Sequence, residues 1–260
     1  MAKYKIFDTH AHYDSDDFDN DREELIQEMM ENGVIGILNC ASSADSLDKT
    51  NKLTLDHEIF IGALGIHPEN ADEFNEEIKE KIKEKIKEND KIVAIGEIGL
   101  DYYWDENPSK EVQKEAFIEQ MKLAEELNLP VIIHDREAHA DTLEIIKMFP
   151  KVRGIVHCFS GSKEFAMQCI KEGYYIGVTG VVTFKNAKKV KEVVKAVPVD
   201  RLLVETDAPF MAPEPNRGKR NKSDYILHII EQIAEIKEFD PIELNIQLNK
   251  NFKDLLNQGK

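Results

Sequence analysis

Short apolar runs rich in Val and Ile alternate eight times with longer stretches of helical periodicity along the 260-residue chain, and nothing else in it narrows the choice of fold so far. The runs are 5–10, 34–40, 59–67, 91–99, 130–135, 153–160, 174–180 and 201–209. Most are apolar on both faces, the pattern of parallel strands covered on each side rather than of a half-exposed antiparallel sheet. Between them, residues 21–32, 45–55, 73–89, 109–128, 138–148, 163–172, 187–196 and 223–236 place apolar side chains three or four apart among charges, as amphipathic helices do. A last helix near 241–257 is expected to close the structure. Eight β/α units in about 250 residues is the count of a (β/α)8 TIM barrel. A doubly wound open sheet uses the same alternation and stays open as the alternative. No shift of composition marks a linker, so residues 1–260 are expected to form a single domain.

The polar residues favour the barrel, because they stand where a barrel assembles its active site, at the C-terminal ends of the strands. Asp8, His10 and His12 end the first run, His67 the third, Glu97 the fourth, His134 the fifth, His157 the sixth and Asp207 the eighth. His10 and His12 are two apart, which on an extended strand turns both imidazoles to one side and makes half a site for a divalent cation. An isolated pair of this kind is also a common accident of loops. Glu97 lies among apolar neighbours, where a carboxylate is costly unless it is paired or bound to metal; a salt bridge would satisfy it equally. His134 and His157 each follow apolar residues, and either alone fits a hydrogen-bonded core histidine. Asp207 meets the same burial argument as Glu97. Taken together, four imidazoles and two carboxylates converging on one rim fit two metal ions sharing a carboxylate, a pair that stabilises both the attacking and the leaving oxygen of an in-line displacement.

Seven segments then agree in order and spacing: DTHAH (8–12), GIHPE (65–69), AIGEIGLDYY (94–103), IIHDREA (132–138), VHCFSG (156–161), LLVETDAPF (202–210) and RGKRN (217–221). In these the chain resembles the TatD-type deoxyribonucleases among the amidohydrolase-like metal-dependent hydrolases, over residues 6 to about 252. The resemblance implies a first cation held by His10, His12, Glu97 and Asp207, and a second held by Glu97, His134 and His157, with Glu97 bridging. It also implies hydrolysis of DNA phosphodiesters; a metal-activated water is the expected nucleophile, with Asp207 and Glu97 the expected catalytic carboxylates and Asp207 the expected acceptor of its proton. The chain departs from the family's usual continuation after RGKRN: Lys222-Ser223 stands where Glu-Pro is frequent. Imidazole and carboxylate donors suit Mg2+, Mn2+ or Zn2+ alike.

Several side chains are candidates for gripping substrate. His67, Arg136, Arg217, Lys219 and Arg220 offer donors suited to phosphate. Arg136 paired with an acid, and 217–222 as a solvated loop, are the plainer alternatives. Tyr102, Tyr103 and Trp104 form either a stacking surface for bases or rim packing. Cys158, next to His157, is expected to face away by strand alternation.

Charge limits the substrate. With 34 Lys and Arg against 50 Asp and Glu the chain carries −16, the wrong sign for a protein that coats duplex DNA. DNA ends or single strands, held locally, are therefore the expected partner. An amide, lactone or aminoacyl ester cleaved with the same metals is the rival reading, and a non-catalytic binding barrel a third. No run approaches the roughly 20 apolar residues of a membrane span. The first residues lack the long apolar stretch of a signal peptide, and Cys40, Cys158 and Cys169 are an odd number without CxxC spacing. A cytoplasmic protein is expected, its oligomeric state left open.

Overall fold

In the computed structural model, which describes residues 3–257, the eight runs become eight parallel strands hydrogen-bonded in sequence order. They are β1 (Ile6–Ala11), β2 (Val34–Cys40), β3 (Phe60–Leu64), β4 (Ile92–Asp101), β5 (Val131–Arg136), β6 (Gly154–Val156), β7 (Tyr175–Val178) and β8 (Leu202–Val204). A doubly wound sheet reverses its order midway; this one does not. The two ends meet instead: Ala11 pairs in parallel with Ala208, Asp207 N–H donates to His10 O at 3.0 Å, and His12 N–H to Ala208 O at 2.8 Å. The fold is a (β/α)8 barrel.

The helices are α1 (Arg22–Glu31), α2 (Ala44–Asp56), α3 (Glu76–Glu88), α4 (Lys110–Leu127), α5 (His139–Met148), α6 (Lys163–Lys171), α7 (Lys188–Ala196), α8 (Ile226–Lys237) and α9 (Pro241–Asn257). Several begin where a short polar side chain satisfies a free backbone donor: Ser43 for α2, Asn75 for α3, Ser109 for α4 and Ser162 for α6. The charge run in α3 is less solvated than its composition suggests. Lys81 and Lys85 reach Asp48 on α2, while Lys79 and Lys83 reach Glu119 and Glu126 on α4.

Alternation divides the core in two. Leu38, Cys40, Ala63, Ala94, Ile132, Ile155, Tyr175 and Leu203, one face of β2 to β8, fill the barrel together with Phe252 and Leu255 of α9. The larger cluster lies between strands and helices. Asn245 and Asn249 of α9 donate to Lys5 O, and Asn251 to Val199 O and Leu202 O. These bonds hold α9 under the N-terminal ends of β1 and β8. One mouth is thereby plugged with apolar side chains, and the site must use the other. No helix among the described residues is long and apolar enough to cross a membrane.

Candidate metal centre

Two strands slip register where they carry polar groups. β1 gains one residue on β2 between Asp8↔Ile37 and Ala11↔Asn39, around His10; β4 gains one on β5 between Ile95↔Val131 and Ile98↔Ile133, around Glu97. Such bulges re-aim a side chain that regular pairing would point elsewhere. β6 and β8 stop before their polar residues, so His157 and Asp207 lie on the loops that follow. Asp207 adopts φ 59°, and Glu137, Cys158 and Met211 are also left-handed. All four line one cavity of about 920 Å³ at the C-terminal mouth. Non-glycine residues held in this region are uncommon, and they cluster where a site over-determines the backbone.

The six expected ligands meet there. Glu97 is buried at the centre, and its two oxygens face different groups. Oε2 lies 3.2 Å from His10 Nε2 and 3.4 Å from His12 Nε2; Oε1 lies 2.7 Å from His157 Nε2, 3.0 Å from His134 Nδ1 and 3.6 Å from His67 Nε2. Asp207 Oδ1 is 3.4 Å from His12 and 3.6 Å from His10. Three sets each keep their donor atoms within 4.8 Å of one another: His10, His12 and Asp207; His10, Glu97 and His157; His67, Glu97 and His134.

Hydrogen bonds on the far sides of the rings fix what each ring presents. His12 Nδ1 is 2.8 Å from the Cys40 carbonyl, which can only accept, so Nδ1 carries the proton and Nε2 turns a lone pair toward Glu97 and Asp207. His134 Nε2 lies 3.1 Å from Asp101 Oδ2, leaving Nδ1 toward Glu97. A lone pair facing a carboxylate oxygen is repulsive unless a proton or a cation lies between them. The donor set therefore fits divalent cations, with oxygen and nitrogen donors aimed at shared points and outer partners orienting the rings. His67 is different. Its Nδ1 accepts the Glu69 backbone N–H at 3.2 Å, so its Nε2 carries the proton, 3.6 Å from Glu97 Oε1 at the cavity wall.

Ionisation follows the same geometry. Burial opposes charge on Glu97, yet the imidazoles of His157, His10 and His67 hold its carboxyl well below the ordinary range. Asp207 is likewise held low against burial, by the His12 hydrogen bond and the charge of His10. Burial and the neighbouring His157 push His10 down, whereas His12 and His157 are pulled up against burial by the carboxylates beside them. Burial and His134 lower His67 to about 3, so its ring is neutral at any physiological pH.

Other groups inside the same motifs brace these residues. Asp101 orients His134. Glu205, fully buried, accepts the Cys158 N–H at 2.5 Å and lies 3.6 Å from His157 Nδ1, with its other oxygen unpartnered. Gly177 leaves it room, since a Cβ there would stand 2.6 Å from the Glu205 carboxylate. Buried Asp8 accepts from Thr206 N–H, Thr206 Oγ1 and Ser223 Oγ, tying β1 to the loop that carries Asp207. The departure at Lys222-Ser223 thus has its own partners: Ser223 holds Asp8, and Lys222 pairs with Glu28 and Asp224. Glu205 and Asp101 have a legible signal, each an acid two or four residues from a ligand in an apolar run.

The candidate substrate contacts separate. His67 and Arg136 line the cavity. Among the described residues Arg136 pairs with no acid; it stacks over Tyr103 at 4.0 Å and Trp104 at 5.4 Å, both exposed rings. Tyr102 leaves that group, donating to Asp141 under Lys110. Arg217, Lys219 and Arg220 are exposed and are not brought to the cavity wall. Arg217 lies over Phe184, and Arg220 makes paired hydrogen bonds to Asp21 at 2.9 and 2.5 Å. The expectation for Cys158 needs correction. Beyond the end of β6 alternation no longer applies, and its left-handed backbone turns the residue into the cavity lining, near Thr179 and Met211.

With this geometry in place, comparison with known proteins is informative. The family model described as TatD related DNase matches residues 7–257. A metal-dependent hydrolase of Bacillus subtilis, YabD, is 44% identical over 252 residues, covering 96% of this chain and 98% of its own. The 3'-5' ssDNA/RNA exonuclease TatD of Erwinia tasmaniensis is 34% identical, over 97% of this chain and all of its own. The crystal structure of YJJV, a TatD homologue from Escherichia coli, superposes with a TM-score of 0.90 at 32% identity, covering 96% and 97% of the two chains.

Proposed function

Because the chain belongs to the TatD related DNase family of metal-dependent hydrolases, we propose that it is a nuclease cleaving phosphodiesters at DNA ends or in single strands, with two divalent cations bound at the barrel mouth. The observation that carries this reading is Glu97, whose two oxygens face two different ligand groups. His10, His12 and Asp207 would hold one cation, His134 and His157 the other, and Glu97 both; Mg2+, Mn2+ and Zn2+ all suit these donors. When bound, such a pair supplies Lewis acidity toward water and toward the phosphoryl oxygens.

The chain's own residues supply the rest. Asp207 stays ionised, able to take a proton from the attacking water. His67 presents a neutral Nε2–H toward a phosphoryl oxygen. Arg136, held flat on Tyr103, offers its planar donors beside them. The exposed rings of Tyr103 and Trp104 give a base somewhere to stack, an interaction worth about 1–3 kcal/mol per base. TatD of Erwinia tasmaniensis is named for single-stranded DNA and RNA, so RNA belongs among the substrates tested. The whole chain acts as one unit, and its three unpaired cysteines suit a cytoplasmic setting.

End-labelled single-stranded DNA, RNA and duplex, digested by metal-loaded protein, test the reading. Single strands or frayed ends should be shortened faster than duplex interiors. Asp207→Asn should lose at least about 100-fold in rate, with metal content measured alongside. Full rate in that variant with metal retained would remove Asp207 as the base. Turnover of an ester, lactone or amide with no cleavage of any oligonucleotide would overturn the nuclease reading.

A further inference from the structure

The cavity wall is electrically divided. Asp14, Asp16 and Asp17 follow β1, Asp45 follows β2 and Glu69 follows β3, and all five line the cavity. The lysine on that side, Lys49, is already held by Asp16 at 3.1 Å and Asp45 at 3.0 Å. Strand order runs β1 to β8 around the barrel, so the loops after β5 to β7 form another arc of the rim. There the cavity is lined by Arg136, Asn186, Lys188 and Lys189, with Glu137 the one exposed acid among them.

The lysines belong to a basic run in an acidic protein. Residues 185–195 carry five lysines and one glutamate, in a chain whose net charge is −16. Lys185, Lys188 and Lys189 are exposed, and among the described residues none of the three pairs with a carboxylate. Lysines of α3 show the opposite habit, Lys79, Lys81, Lys83 and Lys85 each reaching an acid. Ammonium groups close in sequence and without a carboxylate partner concentrate positive charge on this part of the rim. A polyanion lying across them would find cations not already neutralised by the fold.

We propose that Lys188 and Lys189, with Lys185 beside them, bind the phosphodiester backbone of a single-stranded nucleic acid next to the scissile phosphate. The strand then leaves the cavity over the segment between β7 and α7. This rests on the nuclease reading and adds a path to it. Phosphates near the loops after β1 to β3 would face five carboxylates, whereas over Lys188 and Lys189 each phosphate displaces a condensed counterion. Local charge segregation thus reconciles an acidic protein with an anionic polymer.

The test compares Lys188→Ala/Lys189→Ala with Lys250→Ala/Lys253→Ala, which removes the same charge from α9 at the plugged end of the barrel. Substrates are a fluorescent single-stranded 12-mer and the small diester bis(p-nitrophenyl) phosphate. For the α7 pair, KM for the 12-mer should rise about tenfold, and the log–log salt slope should fall by about 1.4, or about 0.7 for each phosphate no longer neutralised. Loss of kcat/KM on the 12-mer should exceed the loss on the small diester by at least about fivefold. The α9 pair should stay within about twofold of wild type on both substrates. Equal effects of the two pairs, or an unchanged slope in the α7 pair, would overturn the inference while leaving nuclease activity standing. A wild type that cleaves the small diester but neither binds nor degrades the 12-mer would overturn both.

Discussion

His12, His134 and His67 have three different far-side partners, a carbonyl oxygen, a carboxylate and a backbone N–H. The first two fix rings that offer lone pairs; the third fixes a ring that offers a proton. At 3.6 Å His67 is the farthest of the five imidazoles around Glu97, yet its donor atom still groups with those of Glu97 and His134. Its tautomer leaves it a proton donor rather than a lone-pair donor. His157 has its partner in Glu205, whose negative charge faces Nδ1 at 3.6 Å. Glu205 is placed to orient the His157 ring from its far side. Glu205→Gln preserves volume and the acceptor for Cys158 N–H while removing that charge. Metal affinity should fall about 10–100-fold, read by competition with a chelating dye, and the folded state should remain. An unchanged affinity would mean that the carboxylate is merely a loop anchor.

At the level of strands and helices, the apolar runs announce eight units because parallel strands buried on both faces leave few polar positions to confuse the pattern. The ligand-bearing residues are legible for the same reason: a polar group ending such a run is conspicuous. What stays hidden depends on partners distant in sequence. The slips around His10 and Glu97 exist only relative to β2 and β5. The early ends of β6 and β8 put His157, Cys158 and Asp207 on loops, where period-two reasoning fails and misplaces Cys158. Arg220 is unreadable in the same sense, since its partner Asp21 is 199 positions away. The lysines of 185–195 are visible as charge, but only folding shows that two of them reach the cavity. The plug helix α9 gives this scale its own test. Phe252 is buried under the barrel against Phe7, ring centroids 4.7 Å apart. Phe252→Ala should lower stability by about 3–5 kcal/mol, measured by urea denaturation. A loss below about 1 kcal/mol would mean that α9 packs on the barrel without filling it.

Across the whole molecule, apolar packing closes one mouth of the barrel and leaves the other to charge. Asp207 N–H bonded to His10 O, and His12 N–H to Ala208 O, close the barrel at the place where the first ligand set is assembled. Closure and metal binding are therefore coupled, and cations binding the folded chain alone should raise its unfolding temperature. Two divalent ions would offset only four of the sixteen excess negative charges, so a nucleic-acid substrate would have to be held by local features of the rim. The proposed function depends on whether six side chains from five strand ends share a pair of cations through Glu97. Calorimetric titration of chelator-treated protein with Mn2+, alongside Glu97→Ala, measures that directly. Wild type should take up two ions per chain and gain activity on single-stranded DNA, while Glu97→Ala should retain at most one and stay inactive. Two ions bound equally well by Glu97→Ala, or none by wild type, would contradict the shared-carboxylate centre.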